Sequence, residues 1–330
     1  MQTIVLTEKD IRSILEIRSV IEAVEHVFEA KGRGKVQMPV KSYLYYDKHK
    51  GDLRIMPSYL EDMDVSAVKV VNSHPENRLE GLPSIMGTLI LIDPRTGFPL
   101  SIMGGSWLTA MRTGATSAIS AKYLARENSK ILGIIGTGIQ ATTQLMAMLE
   151  VLTGIKEVRA YDSDNSRLTT FLSESKALYP TVTISGELEA ETVVRNSDIC
   201  ITLTPSRKPH IREEWVRPGT HICAIGADAP GKQELDPNIL KHGTIIVDDM
   251  EQAAHAGEIN LPLKDGIINR NDVKSELANI VLGKVEGRTS EDEITIFDST
   301  GLAMQDAVIA KQVYDRAVEM GLGQRLDLVL

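Results

Sequence analysis

The amino-acid sequence predicts an α/β protein, with a doubly wound parallel sheet and a second domain beside it. Three observations predict this. At 330 residues the chain is too long for one comfortable core and suits two. After Asn128, short apolar runs alternate with helical stretches, the pattern of a parallel sheet covered by helices on both faces. A glycine turn, Gly136-Thr137-Gly138-Ile139-Gln140-Ala141, lies between the first of those runs and the helix that follows it.

From Thr7 to Ala30, the residues Ile11, Ile14, Leu15, Ile17, Val20, Ile21, Val24 and Phe28 recur at helical spacing and predict an amphipathic helix. Strands are expected around Lys41–Tyr46, Leu53–Pro57, Val65–Asn72 and Met86–Asp93, divided by Gly, Pro and Asp. A helix of small residues follows, from about Trp107 to Leu124. Beyond Asn128 the expected strands are KILGIIG, EVRAYD, TVTIS, DICITL, HICAIG, GTIIVDD and EITIFDS, with helices opening near Gln140, Ser166 and Glu187. Gly301–Gly321 reads as one long amphipathic helix, which could close the sheet domain or return to the first domain.

Apolar residues make up 42% and charged residues 25%, the balance of a soluble globular protein. Aromatics at 4% leave the cores to Ile, Val, Leu, Met and Ala. The net charge of −9 argues against nucleic acid or an anionic membrane as the main partner. It also means that an anionic substrate must be met by a few cations gathered locally. Cys200 and Cys223 lie in apolar runs and read as buried core residues, not as a disulfide or a metal site. The N-terminus shows no basic segment followed by an apolar one, and no apolar run approaches the roughly 18 residues of a membrane span, so the cytoplasm is the expected location.

The glycine turn has the form GxGxxA, directly after the strand ILGII and opening a helix, as dinucleotide binding requires. Gly136 permits the sharp turn, Gly138 lets the backbone approach a pyrophosphate, and Ala141 allows close helix–strand packing. The amides at the helix start then face the phosphates. This is the fingerprint of a Rossmann-type sheet. The next strand ends in Asp162, about 26 residues past Gly136, with Ser163 beside it. A carboxylate there accepts from the adenine-ribose hydroxyls and repels a 2′-phosphate, which favours NAD over NADP; its other reading is a helix cap. Three further polar clusters stand at strand ends, where open α/β sheets bind ligands: Thr204-Pro205-Ser206, Gly226-Ala227-Asp228 and Asp298-Ser299-Thr300.

No HExxH, CxxC, GxSxG or Walker A sequence is present. His255 and Glu258 have the spacing of a helical metal pair, but nothing nearby completes a ligand set; both are expected in solvent, and no metal is expected. Lys69 stands in the apolar strand SAVKVV. Such a lysine either guards a sheet edge or points into a pocket with an anionic partner, where desolvation would lower its pKa toward the range useful for proton transfer. Arg54, in GDLRIMP, could clamp a carboxylate in bidentate fashion. Arg112 is an isolated cation in the helix WLTAMRTGATSAIS, with a plain surface arginine as its other reading. Asp228 either faces a nicotinamide as general acid/base or caps a turn. Lys232 could pair with a phosphate, a substrate oxygen or Glu234.

Taken together, GDLRIMP, KVVNSHPEN with GLPS, DPRTGFPL, LTAMRTGATSA, GTGIQA, TPSRKP, AIGADAPGKQELD and EITIFDSTGLAMQD resemble the ornithine cyclodeaminase/mu-crystallin family along essentially the whole chain, and within it the archaeal-type alanine dehydrogenases. The resemblance implies that Arg54, Lys69 and Arg112 surround a substrate carboxylate, with Lys69 also a candidate proton donor/acceptor and Asp228 the acid/base beside the reacting carbon. It implies NAD contacts at Thr113, Ile139, Gln140, Asp162, Ala227 and Ser299, with Lys232 nearby; Arg112, Gly136, Gly138, Ser163, Thr204, Gly226 and Asp228 join them as candidates. It further implies a substrate and dimerisation domain of residues 1–125 and 303–330, forming a homodimer through its sheet, with the nucleotide domain, 126–302, inserted. Cyclodeaminases usually carry an acidic residue just before the MP dipeptide, where this chain has Arg54-Ile55-Met56-Pro57. That departure favours a short, uncharged side chain such as alanine's. The expected activity is therefore NAD-dependent alanine dehydrogenation. The alternatives are ornithine cyclodeamination, ketimine reduction and, least favoured, crystallin-like dinucleotide binding without turnover.

Overall fold

Buried and half-exposed positions alternate along the first part of the chain, and a period of two builds a one-faced sheet. The computed structural model describes residues 2–329 and places there β1 (Thr3–Leu6), β2 (Val36–Gln37), β3 (Ser42–Tyr46), β4 (Gly51–Leu60), β5 (Val65–Ser73), β6 (Ile85–Ile92) and β7 (Pro99–Gly104). The sheet runs from the C-terminal strand Gln324–Leu326 through β1, β7, β6, β5 and β4 to β2, with β3 also paired to β4. Strands β4 to β7 form an antiparallel meander, and β1 lies parallel to β7.

Register decides what shares a face. Met56 pairs with Lys69, Lys69 with Leu89, and Arg54 with Val71. Arg54, Met56, Ser58, Lys69, Leu89, Leu91 and Met103 are all buried. The long C-terminal helix Ala303–Met320 packs on β4 and β5 and against α2 (Ile17–Gly32). Each large apolar side chain buried there contributes about 1.5–3 kcal/mol. On the other face Ile55 is exposed, and Val68, Val70, Ile90 and Ile102 are half-buried.

The single helix expected from Thr7 to Ala30 is two. The first, α1 (Glu8–Ile14), is capped by Thr7, whose hydroxyl accepts from the Asp10 amide while the Asp10 carboxylate accepts from the Thr7 amide. Leu15 and Glu16 are extended before α2 begins. Both helices bury an apolar stripe, with Ile11 in one and Val20, Val24 and Phe28 in the other. The spacing therefore reads through the two extended residues as if they were helical.

The chain forms two compact units: Met1–Arg112 with Leu302–Leu330, and Thr113–Gly301. The division falls inside α3 (Ser106–Leu124) and again just before the C-terminal helix. The second unit is a Rossmann-type α/β domain. Its strands are β8 (Ile131–Ile135), β9 (Glu157–Tyr161), β10 (Thr183–Gly186), β11 (Ile199–Thr202), β12 (His221–Ala224), β13 (Thr244–Val247), β14 (Val273–Glu276) and β15 (Thr295–Asp298). They are ordered β10-β9-β8-β11-β12-β15-β13-β14, all pairs parallel. The strand order reverses between β8 and β11, which makes their carboxyl ends the crevice where such sheets take ligands. Helices α4 (Ile139–Val151), α5 (Asn165–Leu178) and α6 (Ala190–Asn196) supply crossovers. Strands β11, β12 and β15 are buried along their whole length, as strands covered on both faces must be. Cys200 and Cys223 are buried and unbridged. No described helix is long and apolar enough to cross a membrane.

Candidate active site

In the first unit β5 runs between β4 and β6, so Lys69 stands mid-sheet and is 2% exposed. The edge-guard reading of this lysine is overturned. A lysine normally keeps its head in water; here Asp306, from the first turn of the C-terminal helix, lies 2.6 Å from Nζ. Asp306 also accepts from Arg112 Nε at 3.0 Å, and Gln305 accepts from Arg112 Nη1 at 3.2 Å. Lys69 Nζ donates to Thr109 Oγ1 at 3.4 Å. Arg112 is therefore a buried arginine and not a surface one. Burial drags the Lys69 pKa down to about 7; the Asp306 carboxylate opposes the fall, while Arg112 and Lys41 deepen it. Burial alone would push the Asp306 carboxyl up, but Arg112 and Lys69 together hold it below its ordinary value.

Arg54 lies on the same sheet face. It donates to both oxygens of Asp52, at 2.8 and 3.3 Å, and its guanidinium sits 5.7 Å from the Tyr43 ring centroid. Lys41, buried in the stretch between β2 and β3, is a fourth cation that sequence reasoning missed. It stands in a proline-containing stretch, MPVKS, that has no periodicity to mark a lysine as inward-facing. An acidic chain has thus gathered Lys41, Arg54, Lys69 and Arg112 on one unit, a set suited to a small carboxylate.

In the second unit Gly136 has φ +95°, a left-handed conformation that a side chain would strain. Gly138 precedes α4 with no side-chain cap, and open space surrounds the position a Cβ would take. Ala141 is fully buried, Ile139 is 73% exposed, and Gln140 Oε1 is buried with no hydrogen-bond partner among the described residues. Uncapped helix amides, an open approach and an orphaned amide oxygen fit the phosphates and adenosine of a dinucleotide. Asp162 Oδ2 accepts from the Thr137 amide at 2.7 Å and its hydroxyl at 3.1 Å, while Oδ1 accepts from the Asp164 amide at 2.9 Å. The cap of α5 is Asp164, not Asp162. Ser163 is exposed beside them.

The ends of β11 and β12 are tied by one buried carboxylate. Glu234 accepts from Thr202 Oγ1, Thr204 N and Thr204 Oγ1, each at 2.7 Å, and from Gly226 N at 2.8 Å. Burial pushes the Glu234 carboxyl up against the pull of those four bonds. A Cβ at Gly226 would collide with Thr204 O and that carboxylate. Ala227 is buried, and Asp228 is 31% exposed at its side chain with Lys232 Nζ 2.5 Å from Oδ1. Lys232 thus meets Asp228. Ser299 donates its amide to Ala224 O at 3.1 Å and its hydroxyl to Asp248 at 3.3 Å. Thr113 is buried one residue after Arg112.

The expectation for His255 and Glu258 holds at the first residue and fails at the second. His255 is exposed, but Glu258 is fully buried and accepts from the Glu234 and Leu235 amides. Its carboxyl is pushed well up by burial and by Glu234. The helix Met250–Ala256 ends before Gly257, so the two residues do not share a helix face.

The chain matches the ornithine cyclodeaminase/mu-crystallin family over residues 1–321. It is 46% identical over 328 residues to the alanine dehydrogenase of Archaeoglobus fulgidus, covering 99% of this chain and 98% of that one. A solved archaeal alanine dehydrogenase dimer with bound NAD superposes with a TM-score of 0.95 at 46% identity, covering 99% of this chain and all of that one. The Thermococcus litoralis Δ1-pyrroline-2-carboxylate reductase, solved with NADH and L-proline, superposes with a TM-score of 0.95 at 40% identity, over 98% and 99% of the two chains.

Proposed function

Because this chain belongs to the ornithine cyclodeaminase/mu-crystallin family, we propose that it is an NAD-dependent oxidoreductase acting on the CH–NH2 group of a small amino acid, with L-alanine, taken reversibly to pyruvate and ammonia, as its substrate. The observation that carries this reading is the buried Lys69–Asp306–Arg112 cluster, which suits a carboxylate and has no evident use in a protein that merely binds a dinucleotide. NAD, when bound, supplies the hydride acceptor.

Arg54 and Arg112 hold the substrate carboxylate through guanidinium N–H groups. Lys69 hydrogen-bonds the same carboxylate or moves a proton. Asp228, half-exposed and braced by Lys232, takes the proton from the water that adds to the substrate-derived imine, and returns it in the reverse direction. Thr113, Gly136, Gly138, Ile139, Gln140, Asp162, Ser163, Thr204, Gly226, Ala227, Lys232 and Ser299 hold the dinucleotide, with Arg112 beside them. The likeness to the Thermococcus litoralis reductase supports a second reading, reduction of a cyclic imine at the same residues.

Spectrophotometric assay separates the two. Net NADH from L-alanine and NAD, with slower oxidation of NADH by Δ1-pyrroline-2-carboxylate, supports the first reading. The opposite ranking transfers the assignment to the second, and proline formed from L-ornithine without net NADH would displace both.

The likeness to a dimeric enzyme, and the apolar sheet face bearing Ile55, Val68, Val70 and Ile90, support a homodimer through that face. Ile90→Glu would place a charge in its middle. Light scattering should then find monomers where the wild type is dimeric; an unchanged mass would place the interface elsewhere.

A further inference from the structure

Asp306 belongs to the buried cluster, but the proposed mechanism gives it no step of its own. It is 1% exposed, and one oxygen meets Lys69 Nζ while the other accepts from Arg112 Nε. We infer that Asp306 is a positioning residue for the reaction, one that anchors Lys69 and Arg112 side by side and keeps Lys69 charged for an incoming carboxylate. The inference rests on the functional reading above.

The contacts of the two cations support it. Asp306 pairs with the Lys69 ammonium, which also donates to Thr109, and accepts from Arg112 Nε, while Gln305 accepts from Arg112 Nη1. Each cation is thereby fixed in direction. The anchor is itself fixed, because Asp306 lies in the first turn of a helix whose first turn is buried.

The charges around Lys69 show what the anchor does beyond orientation. From the C-terminal helix it meets Asp306, and it feels Arg112 from α3 and Lys41 from the stretch before β3; Arg54, paired with Asp52, lies further along the same sheet face, and the partner of Lys69 on β6, Leu89, is apolar. Burial, Arg112 and Lys41 all favour the neutral amine, and Asp306 opposes them. A carboxylate arriving at Lys69 stabilises the ammonium, so binding is strongest while the free enzyme's lysine is already charged. Affinity then weakens as pH rises through about 7.

In Asp306→Asn the shape is nearly kept and the negative charge is lost, so the Lys69 titration should move to lower pH by about one to three units, the usual effect of a close opposite charge. The readout is the Cε resonance of Lys69 in 13C-lysine-labelled full-length protein, assigned with Lys69→Arg. The alkaline limb of kcat/KM should move with it, and Asp306→Glu should restore part of the shift. A Lys69 midpoint that stays at its wild-type value in Asp306→Asn would overturn the inference, even if activity falls at every pH, since a merely structural role would give that result. If Asp306→Asn does not fold, Gln305→Glu adds a carboxylate next to Arg112 and should move the midpoint up; an unchanged or lower midpoint counts against the inference. Wild-type protein that turns over neither alanine nor a cyclic imine would sink the functional reading while leaving the lysine titration to decide the role of Asp306.

Discussion

Replacing Lys69 with Ala is expected to lower kcat/KM for alanine oxidation by about 10³-fold, within the range for a group that binds the reacting carboxylate and handles a proton. The fold should survive, because Asp306 keeps its bond to Arg112 Nε when the ammonium is gone, so no buried carboxylate is stranded without a cation. NAD affinity, followed by protein fluorescence, should stay within a factor of about two. Loss of NAD binding in step with activity would contradict the assigned role. Retained activity would show that Arg54, Arg112 and Lys41 suffice to hold the substrate. Lys69→Arg tests the same point from the other side: it keeps the charge but cannot release a proton at working pH. Recovery by arginine would assign Lys69 to binding alone.

Asp228→Asn should cost about 10²–10⁴-fold in kcat, with KM and NAD affinity little altered, because the amide keeps the size of the carboxylate and can still accept from Lys232 while losing its capacity as a base. The comparison with Lys69→Ala is informative in itself. The lysine variant should raise KM as well as lower kcat, since it removes a contact made in ground and transition states alike. If Asp228→Asn instead raised KM alone, Asp228 would be a binding residue and the base would have to be sought elsewhere.

Much of this was legible in the sequence, for reasons that differ between the two units. In the second, backbone rules dominate: Gly136 is where a positive φ is needed, Ala141 is where a helix meets a strand, and strand ends are where a parallel sheet takes ligands. Those constraints are local, so they leave a mark in a short window. In the first unit Lys69 stood out because charge inside an apolar strand is expensive. Its partner left no such mark. Asp306 opens an amphipathic helix, where an acid is already favoured by the helix dipole and draws no attention. Lys41 lies in a stretch with no periodicity, and Glu258 follows a helix that ends too early for its spacing from His255 to mean anything. The break at Leu15 and Glu16 was invisible because two helices with similar stripes imitate one.

The brace between Asp162 and Thr137 has a bearing on cofactor engineering. Converting a preference for NAD into one for its phosphorylated relative usually begins by removing the acid after the second strand. Here that acid also stitches the glycine loop to the end of the second strand through two hydrogen bonds from Thr137, so on the proposed assignment selectivity and loop rigidity reside in a single side chain. A redesign has to supply a new staple for Thr137 along with a new socket for the phosphate.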